Sequence, residues 1–336
     1  MADSEPVAIV GGRVLTDLVD CTADVSALDS TGLWAVLVPF EGPAVCARFA
    51  VARPAPAEPV AEPWRGLPAD AVWRSSLDEA AFTAGVADIR RRIAAGDVYQ
   101  VNLTRVLDTP LPPGADILAL GAALARQHPA PYAATLRLPG VAIASASPEL
   151  FLRRRGTTVW SSPIKGTAGR QEDFLDKDWA ENVMIVDLVR NDLGRVCAWG
   201  SVTVPTLCGV EQHPGLVHLV STVQGELRAD VGWPELLDAT FPPGSVTGAP
   251  KLAALEAIAE LEPAPRGPYC GALGWVDADR GHGQFNVAIR TFWVDDGRLC
   301  FGTGGGITWG SDPAGEWAET ELKAARLLAV ASTAHT

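Results

Sequence analysis

QFNVAIRTFWVDDGRLCFGTGGGITWGSDPAGEWAETELKAARLLAVA, residues 284–331, contains the pattern that decides the fold. Residues 284–295 and 298–303 are rich in β-branched and aromatic residues and predict two strands joined by a tight turn. The spacing that follows predicts a helix over 315–331. Because a tight turn joins antiparallel strands, this order indicates a mixed α+β fold rather than repeated βαβ units.

The rest of the chain repeats this irregular alternation. Between 77 and 95, apolar residues recur at helical spacing, and Gly96 supplies a stop signal. The other predicted helices lie at 177–193, 233–239 and 251–260. The other predicted strands lie at 98–107, 132–137, 141–146, 149–153, 157–161, 201–208, 216–227 and 269–276.

A composition change near residue 70 predicts the domain organisation. Residues 1–50 suggest short strands, and 51–70 are rich in Pro and Ala with little periodicity. We therefore predict a β-rich N-terminal region with a linker over 1–70, and a main domain over 75–331.

Composition excludes several functions. The formal net charge of -13 repels phosphate backbones, so we expect no nucleic-acid partner. No apolar run reaches the roughly 18 residues that span a bilayer, and the acidic N-terminus lacks the basic region of a signal peptide. The six cysteines form no CxxC pair and indicate reduced, packed thiols. We expect a soluble cytoplasmic protein with no membrane partner.

Two predicted helices carry acidic residues on one face. Glu316, Glu319 and Lys323 lie at i, i+3 and i+7, and Asp178 and Glu181 lie at i, i+3. Each set is also typical of a solvated helix face. If the two pairs meet, they suit Mg²⁺, which takes few protein carboxylates and keeps water or substrate oxygens.

Several other residues could contribute chemistry. Consecutive glycines over 302–306 let a backbone approach an anion, although a tight turn or a bulge also explains them. Arg290 could form a fork to a carboxylate. Lys165 would become a nucleophile only if burial or a cation lowered its pKa. His218 and Glu149 are candidate acids or bases, although a lone His or Glu in a strand is more often structural.

Taken in order, nine segments resemble those of the chorismate-using enzyme family. They cover roughly 75–331 and are GDVYQVNLT (96–104), SASPELF (145–151), SSPIKGT (161–167), AENVMIVDLVRNDL (180–193), VHLVSTVQGEL (217–227), FPPGSVTGAPK (241–251), RGPYCGALGW (266–275), FNVAIRT (285–291) and GTGGGI with GEWAETELKA (302–324). The resemblance implies two packed, largely antiparallel β-sheets flanked by helices, with chorismate as the substrate.

The resemblance also implies roles for individual residues. Lys165 would be the nucleophile, Glu149 the acid that protonates a departing hydroxyl, and His218 would lie over the substrate ring. Metal ligation would fall to Glu181, Glu316 and Glu319, with Asp178 beside them and Mg²⁺ as the cofactor. The implied substrate-binding residues are Gln100, Thr247, Gly248, Tyr269, Arg290, Gly304, Gly305, Gly306 and Lys323.

Two positions separate the branches of the family. Isochorismate and salicylate synthases carry a water-activating Lys where this chain has Gln100. Anthranilate synthases carry a PIAGT-like motif at this position, with Ala in place of Lys165. The PIKGT motif of this chain instead resembles that of the aminodeoxychorismate synthases. The resemblance thus implies amination of chorismate at C4 through a Lys165 adduct, on the path to para-aminobenzoate. Anthranilate, aminodeoxyisochorismate, isochorismate and salicylate synthesis remain alternatives, as does a non-catalytic chorismate-binding protein.

The resemblance implies a partner as well. The chain shows no Cys-His-Glu glutaminase pattern, so ammonia would come from a separate glutamine amidotransferase subunit or from solution. The LLES-like motif that contributes to a tryptophan pocket in longer members is missing from this sequence. The resemblance therefore does not extend to tryptophan binding.

Overall fold

The computed structural model describes residues 5–56, 63–68, 70–168, 170–174, 176–213 and 216–333. The described residues contain six α-helices. They are α1 Glu79–Ala95, α2 Ile117–Gln127, α3 Asp176–Gly194, α4 Trp233–Thr240, α5 Lys251–Leu261 and α6 Pro313–Ser332. Short 3₁₀ turns lie at Val25–Asp29, Gln171–Asp173, Gly244–Val246 and Ala278–Arg280.

The strands alternate irregularly with these helices. They are β1 Val7–Val10, β2 Arg13–Thr22, β3 Leu33–Val38, β4 Val45–Pro54, β5 Arg74–Ser75, β6 Gln100–Pro110, β7 Ala134–Leu138, β8 Val141–Ser145, β9 Leu150–Arg155, β10 Thr158–Ser162, β11 Ile164–Ala168, β12 Thr203–His213, β13 Leu216–Glu226, β14 Gly248–Ala249, β15 Ala272–Asp277, β16 His282–Val287, β17 Thr291–Asp295 and β18 Arg298–Ile307. Among the described residues, every strand pairing is antiparallel, which confirms the predicted α+β class.

Strand pairing links two halves through the β1–β2 hairpin. One half runs β2-β4-β3-β15-β16-β9-β10-β13, with β11 and β12 both on β13. The other half runs β1-β7-β8-β17-β18-β6, with β5 and β14 on β6. The largest core cluster contains Leu136 and Ile143 from one half and Val36, Leu273 and Phe285 from the other. The two packed sheets are therefore halves of one hydrogen-bonded network.

Helix ends follow the capping signals. The Asp78 side chain accepts a hydrogen bond from Ala81 N at 2.8 Å, and Gly96 ends α1 with φ +86°. The apolar stripe of α1 packs with α5 and β6 in a separate cluster that contains Phe82 and Ile89. This arrangement fixes β6, whose first residue, Gln100, reaches the site described below.

Strands β5, β11 and β14 were not predicted, and two further elements differ from the sequence prediction. Helix α2 was not predicted, because ILALGAALA is an almost continuous apolar run, which does not distinguish a buried helix from a strand. The strand predicted over 284–295 is two strands, since Arg290 adopts φ +52° and interrupts the pairing.

The predicted N-terminal region contributes strands to both halves of the network. Residues 57–62 and 69 of the predicted linker lie outside the described residues. Nearby, Trp64 is buried, and its Nε1 donates to Ala331 O in α6 at 2.8 Å. The division at residue 70 stays a prediction. No helix in the described part of the chain is long and apolar enough to cross a bilayer.

Candidate active site

Lys165 lies on β11 and carries a half-buried side chain. Its Nζ donates to Ser245 O at 3.2 Å. A Cβ added at Gly306 would lie 3.2 Å from this Nζ, so a glycine there lets the amine approach the β18 backbone. Burial lowers the pKa of Lys165, while the Glu181 and Glu149 carboxylates oppose that shift. The amine thus has acidic neighbours and a lowered pKa.

Glu149 lies one residue before β9 and is only 4% exposed. Its backbone is held by Ser147 Oγ, which accepts from Glu149 N at 3.2 Å, and by Val287 N, which donates to Glu149 O at 3.1 Å. Burial raises the pKa of Glu149 to about 7, against the opposing effects of a Ser245 hydrogen bond and the Lys165 charge. A carboxyl group with this pKa can be protonated at neutral pH and act as an acid.

Ser245 joins these two groups and was not singled out from the sequence. Its backbone oxygen accepts from Lys165, and its side chain hydrogen-bonds Glu149. The residue lies in the 3₁₀ turn Gly244–Val246, inside the FPPGSVTGAPK segment. The FPPGSVTGAPK segment was predicted to belong to the site, but the sequence alone does not show which of its residues contacts Glu149.

Glu181 on α3 and Glu316 on α6 influence one another across the site. Burial raises the pKa of Glu181, with Asp178 and Glu316 adding to the rise and Lys165 opposing it. Burial likewise raises the pKa of Glu316, whose Oε1 accepts from Ser311 Oγ at 2.6 Å. A half-buried and a buried carboxyl group, both with raised pKa values, lack sufficient positive charge around them, and a cation would stabilise both.

Glu319 and Lys323 form an ion pair on α6, with Lys323 Nζ 2.6 Å from Glu319 Oε1. The same Nζ donates to Gly304 O at 3.1 Å, which connects α6 to β18. Burial tends to raise the pKa of Glu319, but the charges of Lys323, Lys177 and Lys165 together outweigh it, and the net shift is downward. Asp178 packs against β11 at Gly166, since a Cβ added at Gly166 would be 3.0 Å from Asp178 Cβ.

The carboxylates therefore meet in one region without forming a closed cluster. Within the described residues, no group of three or more His, Cys, Asp or Glu side chains is arranged to hold a metal ion. The donor set is still made of hard oxygen atoms only. Mg²⁺ prefers oxygen ligands and keeps water or substrate oxygens in its shell, so the chemistry of these donors suits Mg²⁺.

The glycines at 302–306 lie in strand β18, paired with β6, and not in a loop. The tight-turn interpretation is therefore wrong, and close approach explains the glycines instead. A Cβ at Gly302 would overlap the Tyr269 ring, and a Cβ at Gly306 would overlap Gln100 Nε2. Gln100 is 1% exposed, and its Oε1 has no hydrogen-bond partner among the described residues. A buried acceptor thus remains available beside Lys165.

Arg290 follows β16 in a left-handed conformation, and its carbonyl accepts from Ala146 N at 3.0 Å. This bend places its guanidinium near His128, with Arg290 Nη1 3.4 Å from His128 Nε2. Burial lowers the pKa of Arg290, and the Glu149 carboxylate opposes the shift. Tyr269 is buried, and burial raises its phenol pKa well above the usual value.

Thr247 and Gly248 lie two and three residues after Ser245 and contact β6. Thr247 O accepts from Asn102 N at 2.7 Å, and Gly248 has φ +150° with no room for a Cβ against Gln100 O. His218 lies on β13 and is 2% exposed, opposite Thr167 and Glu211 in the strand register. His218 therefore lies beside the strand that carries Lys165.

A buried ion pair that the sequence reasoning missed connects this loop to β6. Arg266 donates to Glu262 Oε1 and Oε2 at 2.7 and 2.8 Å, and to Val246 O and Asn102 O at 2.7 Å each. Glu262 Oε1 also accepts from Thr104 N at 2.8 Å. Arg266 lies in the RGPYCG segment that the sequence comparison used. Its partner Glu262 lies four residues earlier, at the C-terminal cap of α5, outside that segment.

Comparison with known proteins agrees with this architecture. The family described as "chorismate binding enzyme" matches residues 41–329, and the chain belongs to that family. An aminodeoxychorismate synthase from Streptomyces pristinaespiralis is 44% identical over 80% of this chain and 39% of its own length. Anthranilate synthase component 1 from Streptomyces coelicolor is 43% identical over 76% of this chain and 52% of its own. The chain thus spans about half the length of these relatives or less.

A solved structure shows the same fold. It is that of a putative 2,3-dihydroxybenzoate-specific isochorismate synthase from Bacillus anthracis, with a TM-score of 0.81 and 24% identity over 97% of this chain and 96% of the other.

Proposed function

We propose that this protein converts chorismate and ammonia to 4-amino-4-deoxychorismate. The observation that carries the proposal is the pairing of Lys165, whose amine has a lowered pKa, with Glu149, whose carboxyl pKa is about 7, through Ser245. In one substitution reaction, an amine with a lowered pKa can act as the nucleophile while a carboxyl group with a raised pKa protonates the leaving group. The aminodeoxychorismate synthase of S. pristinaespiralis, 44% identical, supports the same assignment.

In this proposal the substitution takes two steps. The unprotonated Lys165 amine forms a bond to C2 of the ring while the C4–oxygen bond breaks, and protonated Glu149 gives its proton to the departing hydroxyl, which leaves as water. Ammonia then bonds to C4, the C2–lysine bond breaks, and the proton lost by the new ammonium returns to Glu149. Acid and base are thus one residue.

Gln100 argues against hydroxylation. An amide has no basic nitrogen at neutral pH and cannot activate water, whereas its buried carbonyl can accept a hydrogen bond from substrate. Arg290 and Tyr269 are the proposed contacts to the enolpyruvyl carboxylate, with the β18 backbone at Gly304–Gly306 beside them. Thr247 and Gly248 would line the pocket, and His218 would cover the ring.

Mg²⁺ would be held by Glu181, Glu316 and Glu319, with Asp178 beside them and Lys323 near the substrate. It would supply positive charge that holds the ring carboxylate of chorismate next to these acidic side chains. Without such charge, the negative carboxylates would repel an anionic substrate.

Ammonia would be produced from glutamine by a partner amidotransferase subunit. Only neutral ammonia carries the lone pair that attacks carbon, and in neutral solution most of it is protonated to ammonium, so a partner that releases neutral ammonia locally would favour the reaction. We place the reaction in the cytoplasm, where the reduced cysteines would be stable.

Anthranilate synthesis is the second candidate, favoured by the 43% identity to the S. coelicolor enzyme. The two are separated by incubating this chain with chorismate, Mg²⁺ and ammonium and identifying products by mass spectrometry. We expect 4-amino-4-deoxychorismate. Anthranilate as the main product would favour the second candidate, and unchanged chorismate would favour a binding protein.

A further inference from the structure

Strand β11 bulges at the residue that carries the proposed nucleophile. Its pairing with β13 shifts by one residue between Ile164 and Thr167, so Lys165 and Gly166 together lie opposite Leu219. Two residues against one is the pattern of a β-bulge, which bends a strand and re-aims its side chains. Gly166 adopts φ +79°, a left-handed conformation that glycine takes without strain. The bulge therefore helps to set the direction of the Lys165 side chain.

Helix α3 packs on this bulge and forms a hydrogen bond beside it. Asn182 is fully buried, and its Nδ2 donates to Leu219 O at 3.1 Å. Asp178, one turn earlier, contacts the bulge as well. A Cβ added at Gly166 would lie 3.0 Å from Asp178 Cβ and 3.2 Å from Leu219 Cδ1. The side-chain hydrogen bond from α3 thus goes to the β13 residue opposite Lys165.

A buried network fixes the orientation of the Asn182 amide. Cys208 N donates to Ser221 Oγ at 2.8 Å, and the Ser221 hydroxyl donates in turn to Asn182 Oδ1. Cys208 Sγ lies 3.5 Å from the same oxygen. Because the amide oxygen accepts these hydrogen bonds, the amide nitrogen is the atom that faces Leu219 O. Both ends of the amide are satisfied, so the side chain has one orientation.

The position of α3 at this point also affects the amine. Burial lowers the pKa of Lys165, and the charge of half-buried Glu181, the neighbour of Asn182, opposes that shift. One hydrogen bond therefore holds the helix where its carboxylate and the amine on β11 influence each other.

We propose that Asn182 is a positioning residue for Lys165. Its hydrogen bond to Leu219 O holds α3 against the β11 bulge and thereby keeps the amine aimed at the substrate ring. This inference rests on the proposed function, in which Lys165 attacks carbon. Attack needs the two reacting atoms about 3–3.5 Å apart and aligned, and a misplacement of about 1 Å can cost about a hundredfold in rate. A smaller displacement of the bulge should lower kcat and leave the other substrate contacts intact.

The test removes this hydrogen bond and keeps the side-chain volume. Asn182→Leu has no donor, Asn191→Leu is the same change at an exposed position of α3, and Ser221→Ala removes a hydrogen bond from the amide oxygen only. We expect Asn182→Leu to lower kcat about tenfold with KM for chorismate unchanged. Asn191→Leu should match the wild type, and Ser221→Ala should stay within about threefold of it, because the bond to Leu219 O remains.

A second readout needs no turnover. Each protein is treated with acetic anhydride without substrate, and the acetylation rate of Lys165 is followed by peptide mapping. A bulge that is no longer held should expose the amine, so Lys165 should be acetylated faster in Asn182→Leu than in the wild type or in Asn191→Leu.

Unchanged kcat in Asn182→Leu, or equal acetylation rates in all the proteins, would overturn the inference. An equal loss of kcat in Ser221→Ala would overturn it too, because the contact with Leu219 O would then not be the cause. If Asn182→Leu does not fold, Asn182→Ser, whose side chain is too short to reach Leu219 O, decides by the same readouts. A wild-type enzyme that makes no aminodeoxychorismate would refute the proposed function, which the acetylation rates do not test.

Discussion

Replacing Glu149 by Gln should change how stability depends on pH, and the structure gives the size of the change. Burial raises the pKa of this carboxyl from 4.5 to about 7. A raised carboxyl pKa means that the folded state binds the proton more tightly than the unfolded state does. The stabilisation from this proton is therefore fully present below pH 4.5 and is lost as pH rises through 7.

Each pKa unit corresponds to about 1.4 kcal/mol, so between pH 5 and pH 8 this group should cost the wild type about 2–3 kcal/mol of unfolding free energy. Glutamine cannot ionise and avoids that loss. Urea unfolding of both proteins at the two pH values isolates the effect, because every other group cancels. Glu256→Gln, exposed on α5, is the control and should follow the wild type.

Activity should follow the same titration. An acid must be protonated, so wild-type kcat should fall as pH rises above 7, and Glu149→Gln should be inactive throughout. Identical pH dependence of stability in wild type and Glu149→Gln would refute the reasoning, since the carboxyl would then not be buried with a raised pKa.

Two further predictions concern the metal and the buried ion pair. Chelation with EDTA should abolish turnover, and adding Mg²⁺ should restore it. Glu319→Gln should weaken activity strongly, because one proposed ligand is neutralised. Full activity in metal-free buffer would contradict the proposed Mg²⁺ requirement. Arg266→Met should lower the unfolding free energy by about 3–5 kcal/mol, because Glu262 is left buried and unpaired. The control Arg280→Met, at an exposed ion pair, should lower it by less than about 1 kcal/mol. Equal losses for the two variants in urea unfolding would contradict the importance of the Arg266–Glu262 pair.

Much of the fold follows from local signals. The α1 stripe and its Gly96 stop need no distant contact, and the structure confirms them. Helix α2 was missed because a continuous apolar run does not distinguish a buried helix from a strand. The break at Arg290 was missed because its positive φ depends on the surrounding packing and not on a local turn signal.

The site was predictable only in part. Helical spacing put Glu316, Glu319 and Lys323 on one face, and the Glu319–Lys323 ion pair is a local i, i+4 contact of α6. The spacing could not show that Lys323 also donates to Gly304 O of β18, because that contact joins two elements and is set by tertiary packing. The link from Ser245 to both Lys165 and Glu149 depends in the same way on a turn 80 residues away from the lysine.

The most direct test of the account is a covalent adduct on Lys165. The enzyme is mixed with chorismate and Mg²⁺ without ammonia, quenched, and analysed by intact mass and peptide mapping, alongside Lys165→Ala. The account predicts an added mass on the Lys165 peptide of the wild type, no such mass in the variant, and loss of most aminodeoxychorismate formation in Lys165→Ala. No adduct in the wild type, together with undiminished turnover in Lys165→Ala, would contradict it and leave Lys165 as an ordinary cation of the pocket.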